Sequence, residues 1–444
     1  MENSMEIKNR QTIVLISAIF IFTLGFGIII PIIPFYAKSA GADAFVLGLL
    51  LATFSFLQFF CGPFWGRISD HIGRKPVVLI GLLGFTIAFV MLGLSNNLLW
   101  VFVAEIIGGA LSAGIQPAAM AFIADITKPE ERGGMMGAMG AASGVGLISG
   151  PFISSILSPL GLAVPFYVAA AMSFFTLLGV NIMISESVTK DRRLAISDLL
   201  LPVFVVKMII DTFRHMVLAL RTSVGIFLVA TLVISLAIAG FEGTFAYYIM
   251  DMFSLTDVAT PVHLFGISMG LTGPIVTGIA FALMGVIMVI CQGLLVGPMI
   301  RQFGEEKVII AGLLVSAAGL VLMLVTQYSP VTTFVGHDLG LLIASIGVVS
   351  IGSGLVFPGL NTIISRRTDE RDQGVIMGIM TSYGNFGRII GPPVAGYTYV
   401  VNIVMPYAIS AVILAATSVG MFVIALYSQK KDKVKVAPEA VIKK

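Results

Sequence analysis

The chain has 444 residues, 57% of them hydrophobic and 11% charged, with a mean hydropathy of +1.03. That balance excludes a soluble globular domain and defines an all-α polytopic membrane protein, because its apolar runs are long enough to cross a bilayer. The net charge of +3 does not point to nucleic acid, since 24 of the 26 Lys and Arg residues share one side of a membrane when the hydrophobic segments are threaded alternately; only Lys38 falls on the opposite side, and Arg388 lies inside a segment.

Under the positive-inside rule that asymmetry places both termini and every even-numbered connection in the cytoplasm, facing anionic lipid. In chain order the segments run over residues 12–36, 45–66, 76–96, 99–123, 134–158, 163–185, 223–250, 275–299, 307–328, 338–363, 374–400 and 404–428. Most are near the roughly 20 residues that about 30 Å of hydrocarbon requires. The first is too long for a signal-peptide core and lacks a small-residue cleavage site, so it is a membrane helix. They group into a short N-terminus, 1–11, a first six-helix half, 12–185, and a second, 223–428.

The connection between the halves, 186–222, carries too much charge to span. Lys207, Asp211, Arg214 and Arg221 form one helical stripe, with Phe204, Ile209, Ile210, Phe213 and Val217 on the remaining surface. This predicts an amphipathic helix lying at the membrane interface; a partner-docking helix is the alternative. The lysine-rich tail, 429–444, is expected to be disordered. Cys61 and Cys291 are single thiols in apolar segments, and His71, His215, His263 and His337 are scattered, so neither a disulfide nor a metal or other cofactor is expected.

The halves are related. At an offset of 241 residues Pro117 maps onto Pro358, Gly146 onto Gly387, Gly150 onto Gly391 and Pro151 onto Pro392; at 231, Gly62, Gly66 and Gly73 map onto Gly293, Gly297 and Gly304. Parallel repeats about an axis along the membrane normal build one class of transporter.

The turn after the second segment reads Gly66-Arg67-Ile68-Ser69-Asp70-His71-Ile72-Gly73-Arg74-Lys75. Here the chain resembles the major facilitator superfamily, whose signature between helices 2 and 3 is G-x-L-A-D-x-x-G-R-K. Ile68 and Ser69 are the departures. Glycines permit the tight turn, and a carboxylate flanked by cations forms charge-assisted bonds that can break when two halves rock, which makes Gly66, Asp70, Gly73, Arg74 and Lys75 a candidate conformational latch. The resemblance implies that the aspartate engages the positive start of helix 11, near Gln373 and Gly374. A solvated turn with an N-capping Asp is the plainer alternative.

The fifth segment carries Gly146, Gly150, Pro151, Ser154 and Ser155, similar to the g-x-x-x-G-P-x-x-G-G signature of drug/proton antiporters, with serines in place of the final glycines. A generic small-residue packing face produces the same pattern. Leu24-Gly25-Phe26-Gly27 through Pro31 and Pro34, with Ala121 to Thr127 and Glu131-Arg132, extend the likeness to the tetracycline and multidrug efflux branch. That branch has an arginine in helix 4, in a pattern like R-x-x-G-G, where this chain reads Glu105-Ile106-Ile107-Gly108-Gly109, so no role of that arginine carries over.

Three ionisable residues lie well inside segments: Glu105, Glu242 and Arg388, roughly 8, 12 and 18 Å from the outer ends at ~1.5 Å per residue. Such groups are costly in lipid and are functional candidates. Glu105 and Glu242 are expected to hold proton or cationic substrate in turn, with Arg388 as counter-ion across the halves; a structural Glu105–Arg388 pair, with Glu242 bonded to a neighbouring helix, is the alternative. Phe22, Phe26, Phe241, Phe245, Tyr248, Tyr383, Asn385 and Phe386 are candidate cavity residues. Together these features imply a twelve-helix transporter working by alternating access in the plasma membrane, a functional monomer exporting small amphipathic or cationic compounds against protons. A metabolite symporter is the main rival. No nucleophile elbow, nucleotide loop or metal spacing supports a membrane enzyme or sensor.

Overall fold

The computed structural model describes residues 2–188, 202–222, 224–264, 267–325, 339–368 and 373–436. Part of the expected linker, including Lys190, Arg192 and Arg193, lies outside the described residues, as do His337, Arg371 and 437–444. The first half contains α1 (Glu2–Ser39), α2 (Ala44–Ile72), α3 (Arg74–Leu94), α4 (Leu98–Ser112), α5 (Ile115–Ile126), α6 (Pro129–Leu157) and α7 (Val164–Met183). Helix α8 (Pro202–Ala219) belongs to the linker. The second half holds α9 (Gly225–Phe253), a hairpin of β1 (Thr260–Leu264) and β2 (Ile267–Leu271), then α10 (Gly273–Ile290), α11 (Val296–Phe303), α12 (Glu305–Val325), α13 (Leu339–Arg366), α14 (Gln373–Val401) and α15 (Met405–Val436).

Among the described residues, eleven helical stretches are long and apolar enough to cross a bilayer. Helix α14 is not among them, because Thr381, Ser382, Asn385 and Arg388 dilute its apolar content, yet its 29 residues pack between α2 and α9 in the eleventh position. The expected fourth segment is two helices, α4 and α5, interrupted at Ala113 and Gly114. Pro117, in the first turn of α5, has no N–H to give the Ala113 carbonyl. Trp65 Nε1 donates to the Ala110 carbonyl at 2.7 Å and Gln58 to Ser112 Oγ at 3.0 Å, so polar groups beside the break find partners inside the protein, as lipid demands.

Three further differences have local causes. The eighth segment is α10 and α11 joined by one π turn, Cys291–Leu295. The connection after α9 forms an antiparallel hairpin, with Thr260 opposite Leu271 and Val262 opposite Met269. The backbone of α15 continues helically to Val436, past the point where disorder was expected, because a helix already nucleated in the membrane propagates readily through lysine.

The internal repeat is structural. A Cβ added at Gly150 of α6 would lie 2.6 Å from Gly27 of α1, and one at Gly391 of α14 would lie 2.4 Å from the Leu236 carbonyl of α9. In each half the fifth helix therefore presses on the first through the repeated glycine, which is how packing proceeds where lipid removes the hydrophobic drive between helices. Trp65→Phe keeps the ring but leaves the Ala110 carbonyl unpaired. We expect a loss of about 1 kcal/mol, read as a lower midpoint in thermal unfolding of the detergent-solubilised chain.

Candidate functional site

One face of the molecule carries the basic turns; the opposite is called here the far face. On the far face the halves meet. Pro392 of α14 sits so close to α2 that a Cβ on Gly48 would be 2.3 Å from its carbonyl, and Pro151 of α6 approaches α10 so that a Cβ on Gly278 would be 2.7 Å from its carbonyl. The two prolines are repeat-related, and each contact requires glycine opposite. Nearby, Lys38 Nζ lies 2.8 Å from Asp251 and 5.2 Å from the Tyr247 ring centre. Tyr247 donates to the Ala42 carbonyl at 2.7 Å, and Tyr399 to Asp251 at 2.9 Å.

On the basic face the ion pairs resolved stay inside one half. Arg74 is 2.6 Å from Asp70 and 3.4 Å from Asp125. Gly73, at φ 107°, turns the chain so that the Glu186 carboxylate caps α3, accepting from the Arg74 and Lys75 backbone N–H groups at 2.9 and 3.1 Å. In the second half Arg366 pairs with Glu305 and Arg367 with Glu306. Below the far-face contacts the halves part: a Cβ at Gly66 would meet only Pro117 of its own half, and at Gly137, Gly140, Gly144, Gly293, Gly297 and Gly378 nothing within 4 Å. The molecule is closed at the far face and open at the basic face. Asp70 pairs with Arg74 in this state; its expected partners at the start of α14, Gln373 and Gly374, have surroundings outside the described residues.

Two adjoining cavities of about 50 and 170 Å³ occupy the interface between the halves. Phe26, Ile30, Glu242 and Arg388 line both, and Glu105 lines the smaller with Leu51, Phe54 and Ser55. A larger hollow of about 490 Å³ at the basic face is lined by the paired Glu305, Glu306, Arg366 and Arg367. The site is assigned to the smaller cavities because the intramembrane charges converge there. Arg388 Nη1 lies 3.2 Å from Glu242 Oε2. Both belong to the second half, so the expected counter-ion across the halves is instead an intra-half pair on α9 and α14, and the Glu105–Arg388 pair is not formed. Glu105, from the first half, is 4% exposed and has no ion pair or hydrogen bond with any described residue.

Of the candidate cavity residues only Phe26 lines these spaces. Phe22 packs on Phe85; Phe241 and Phe245 stack with each other inside the second half; Tyr248 is buried against Tyr407. These are corrections: depth along a helix was legible, but the side facing the partner half was not. Tyr383 and Phe386 contact the linker helix, and half-buried Asn385 lines neither cavity. Gly146, Gly150 and Pro151 sit at the α1–α6 and α6–α10 contacts, and Pro151 also lines the larger cavity. Sequence reasoning missed Phe54, Phe281, Met284, Met288 and Gln292, which line the cavities. The π turn that contains Gln292 has no simple sequence signal. It also missed Asp251, whose partner Lys38 stood out as the lone basic residue on its side.

Helices in two repeat-related halves, with intramembrane charge at their interface, define a transporter. The sequence profile of the Major Facilitator Superfamily matches residues 15–292 and 272–443, and the chain belongs to that family. It is a multi-pass membrane transporter of small molecules, and its relatives are not enzymes. Similar proteins include tetracycline resistance protein, class C, of Escherichia coli, 28% identical over 395 residues, covering 88% of this chain and 90% of that one. Multidrug resistance protein 2 of Bacillus subtilis is 26% identical, covering 97% and 98%, and quinolone resistance protein NorA of Staphylococcus aureus 27% identical, covering 96% and 99%. Among solved structures, the human organic anion transporter MFSD10 superposes with a TM-score of 0.62 at 20% identity, covering 93% of this chain and 99% of that one. A POT family transporter in complex with 5-aminolevulinic acid reaches 0.74 at 13%, covering 95% and 96%. At these identities the structures speak for the fold alone.

The far-face contacts make two predictions. Gly48→Val prevents closure there, so a cysteine at Leu51, in a chain lacking Cys61 and Cys291, is labelled several-fold faster by a membrane-impermeant thiol reagent from the far side. Lys38→Ala acts in the same direction but weakly: a partly exposed pair contributes roughly 0.2–1 kcal/mol, no more than about a fivefold change in the labelling ratio.

Proposed function

We propose that this protein exports small, amphipathic, cationic compounds from the cell in exchange for protons, by alternating access, as a monomer in the plasma membrane with its basic face and both termini in the cytoplasm. One observation carries the reading: Glu105, a buried carboxyl group with no partner among the described residues, lines the same inter-half cavity as the Glu242–Arg388 pair. The relatives' names, resistance proteins for tetracycline, quinolones and multiple drugs, support export of drug-like compounds.

The chemistry follows from the surroundings. Ionising a carboxyl group buried among apolar side chains is costly, which suits Glu105 to carry a proton. Glu105 is therefore the proton carrier. Glu242, 3.2 Å from Arg388, draws the cation and releases Arg388 as the cation arrives. A cation entering from the open basic face places a positive charge beside Glu105 and favours loss of its proton to the cytoplasm. Closure of the basic face and opening of the far face then expose the loaded cavity to the outside, where the cation leaves and Glu105 is protonated again. Asp70 and Arg74 exchange partners as the basic face closes, Gly146 and Gly150 hold α6 against α1 within the first half, and Pro151 of α6 against Gly278 of α10 is a point on which the halves rock.

The test is proton release by purified protein in weakly buffered detergent on adding a panel of lipophilic cations. The native chain is expected to release protons on binding. Glu105→Gln is expected to bind a cation within about tenfold of native affinity but release none, and Glu242→Gln to weaken cation binding at least several-fold, because it removes the carboxylate that draws the cation. Binding with no proton change in the native chain would favour symport or another coupling ion.

A further inference from the structure

The linker helix does not simply rest on the membrane surface. Phe213 of α8 places its ring 6.2 Å from Phe59 and 6.4 Å from Phe60, both of α2, and 6.1 Å from Phe386 of α14. Tyr383 of α14 donates its hydroxyl to the Met216 carbonyl at 3.0 Å, and Met216 and Ala219 are buried. Arg214 and Arg221, on the predicted polar stripe, remain exposed. Phe59 and Phe386 mark the lowest aromatic contact between α2 and α14, at 6.3 Å. One turn further toward the basic face, a Cβ on Gly62 would meet only its own half. Phe213 thus fills the angle where the two helices part. The equivalent region between α6 and α11 is open, since a Cβ at Gly137 or Gly297 would meet nothing within 4 Å.

We infer that α8 is a wedge that holds the basic face open, and that its aromatic insertion must withdraw each time that face closes. Closing requires the basic-face turns of α2 and α14 to approach, and Phe213 with the Met216 backbone occupies that space. The wedge is also tied to the transport machinery. Hydrogen bonds from Arg221 to Leu218, Thr222 to Ala219 and Gly225 to Thr222 make the connection from α8 into α9 a tight turn. Displacement of α8 therefore reaches the helix that bears Glu242. The polar stripe gives α8 a place to go, the charged membrane surface, when its apolar edge leaves the cleft.

The measurement is the distance distribution between spin labels at Gly137→Cys and Gly297→Cys, positions where an added side chain meets nothing, in the full chain carrying Cys61→Ser and Cys291→Ser in lipid nanodiscs. No substrate or proton gradient is applied, so the outcome is independent of what the protein transports. Phe213→Ala is expected to raise the short-distance, closed population relative to the open one by at least about twofold, the lower end of a ring–ring contribution. Phe213→Leu, which keeps most of the bulk, should move it less. Tyr383→Phe, removing only the bond to Met216, should shift it in the same direction and serves if the alanine variant does not fold. An unchanged distribution in the variants that fold, or a shift toward the open state, would overturn the inference.

Discussion

The halves join where backbone meets side-chain-free backbone. Pro392 against Gly48 and Pro151 against Gly278 bring one helix of each half into a contact that any Cβ would obstruct. In lipid such close approach replaces the hydrophobic drive that assembles soluble cores, so dispersion between nearly bare backbones carries the far-face closure. The rest of the architecture follows from that constraint. With the far ends held together, rigid halves can separate only at the basic face, and the cavity that contains Glu105, Glu242 and Arg388 lies just below the contact.

That position explains how three costly groups can sit within a bilayer-spanning fold. Arg388 and Glu242 satisfy one another on neighbouring helices of one half, so the pair can part for a cation and re-form after it leaves without depending on how the halves stand. Glu105 belongs to the other half and has no partner among the described residues, so its environment changes with each rocking motion. A proton is the smallest charge that can answer such a change. The far-face tie of Lys38 to Asp251 is of a different kind: both side chains are partly exposed, so it orients the closing surfaces more than it stabilises them.

Much of this was legible in the amino-acid order, and the limits have a physical pattern. The membrane-spanning helices were readable because apolar runs of bilayer length are distinctive, and the repeat because two halves with one packing solution keep glycine and proline at equivalent places. The depth of Glu105, Glu242 and Arg388 could be counted from helix rise. What helix rise does not encode is azimuth. Phe22 and Phe26 are one turn apart, yet Phe26 lines the cavity and Phe22 packs on Phe85. Arg388 was expected to face the other half and instead faces α9. Likewise Lys38 was conspicuous as an exception, but its partner Asp251 lies 213 residues away and no local pattern names it. The amphipathic linker was recognised from its charge stripe, whereas the pocket that receives Phe213 exists only once α2 and α14 are assembled.

The central claim is that proton and cation move in opposite directions through one cavity. Everted membrane vesicles with an acidic interior test it directly, by following both the pH gradient and the content of a lipophilic cation. Antiport predicts that adding the cation dissipates the gradient while the cation accumulates inside, with both effects abolished by Glu105→Gln. Accumulation that requires the opposite gradient, or that leaves the gradient untouched, would contradict the account.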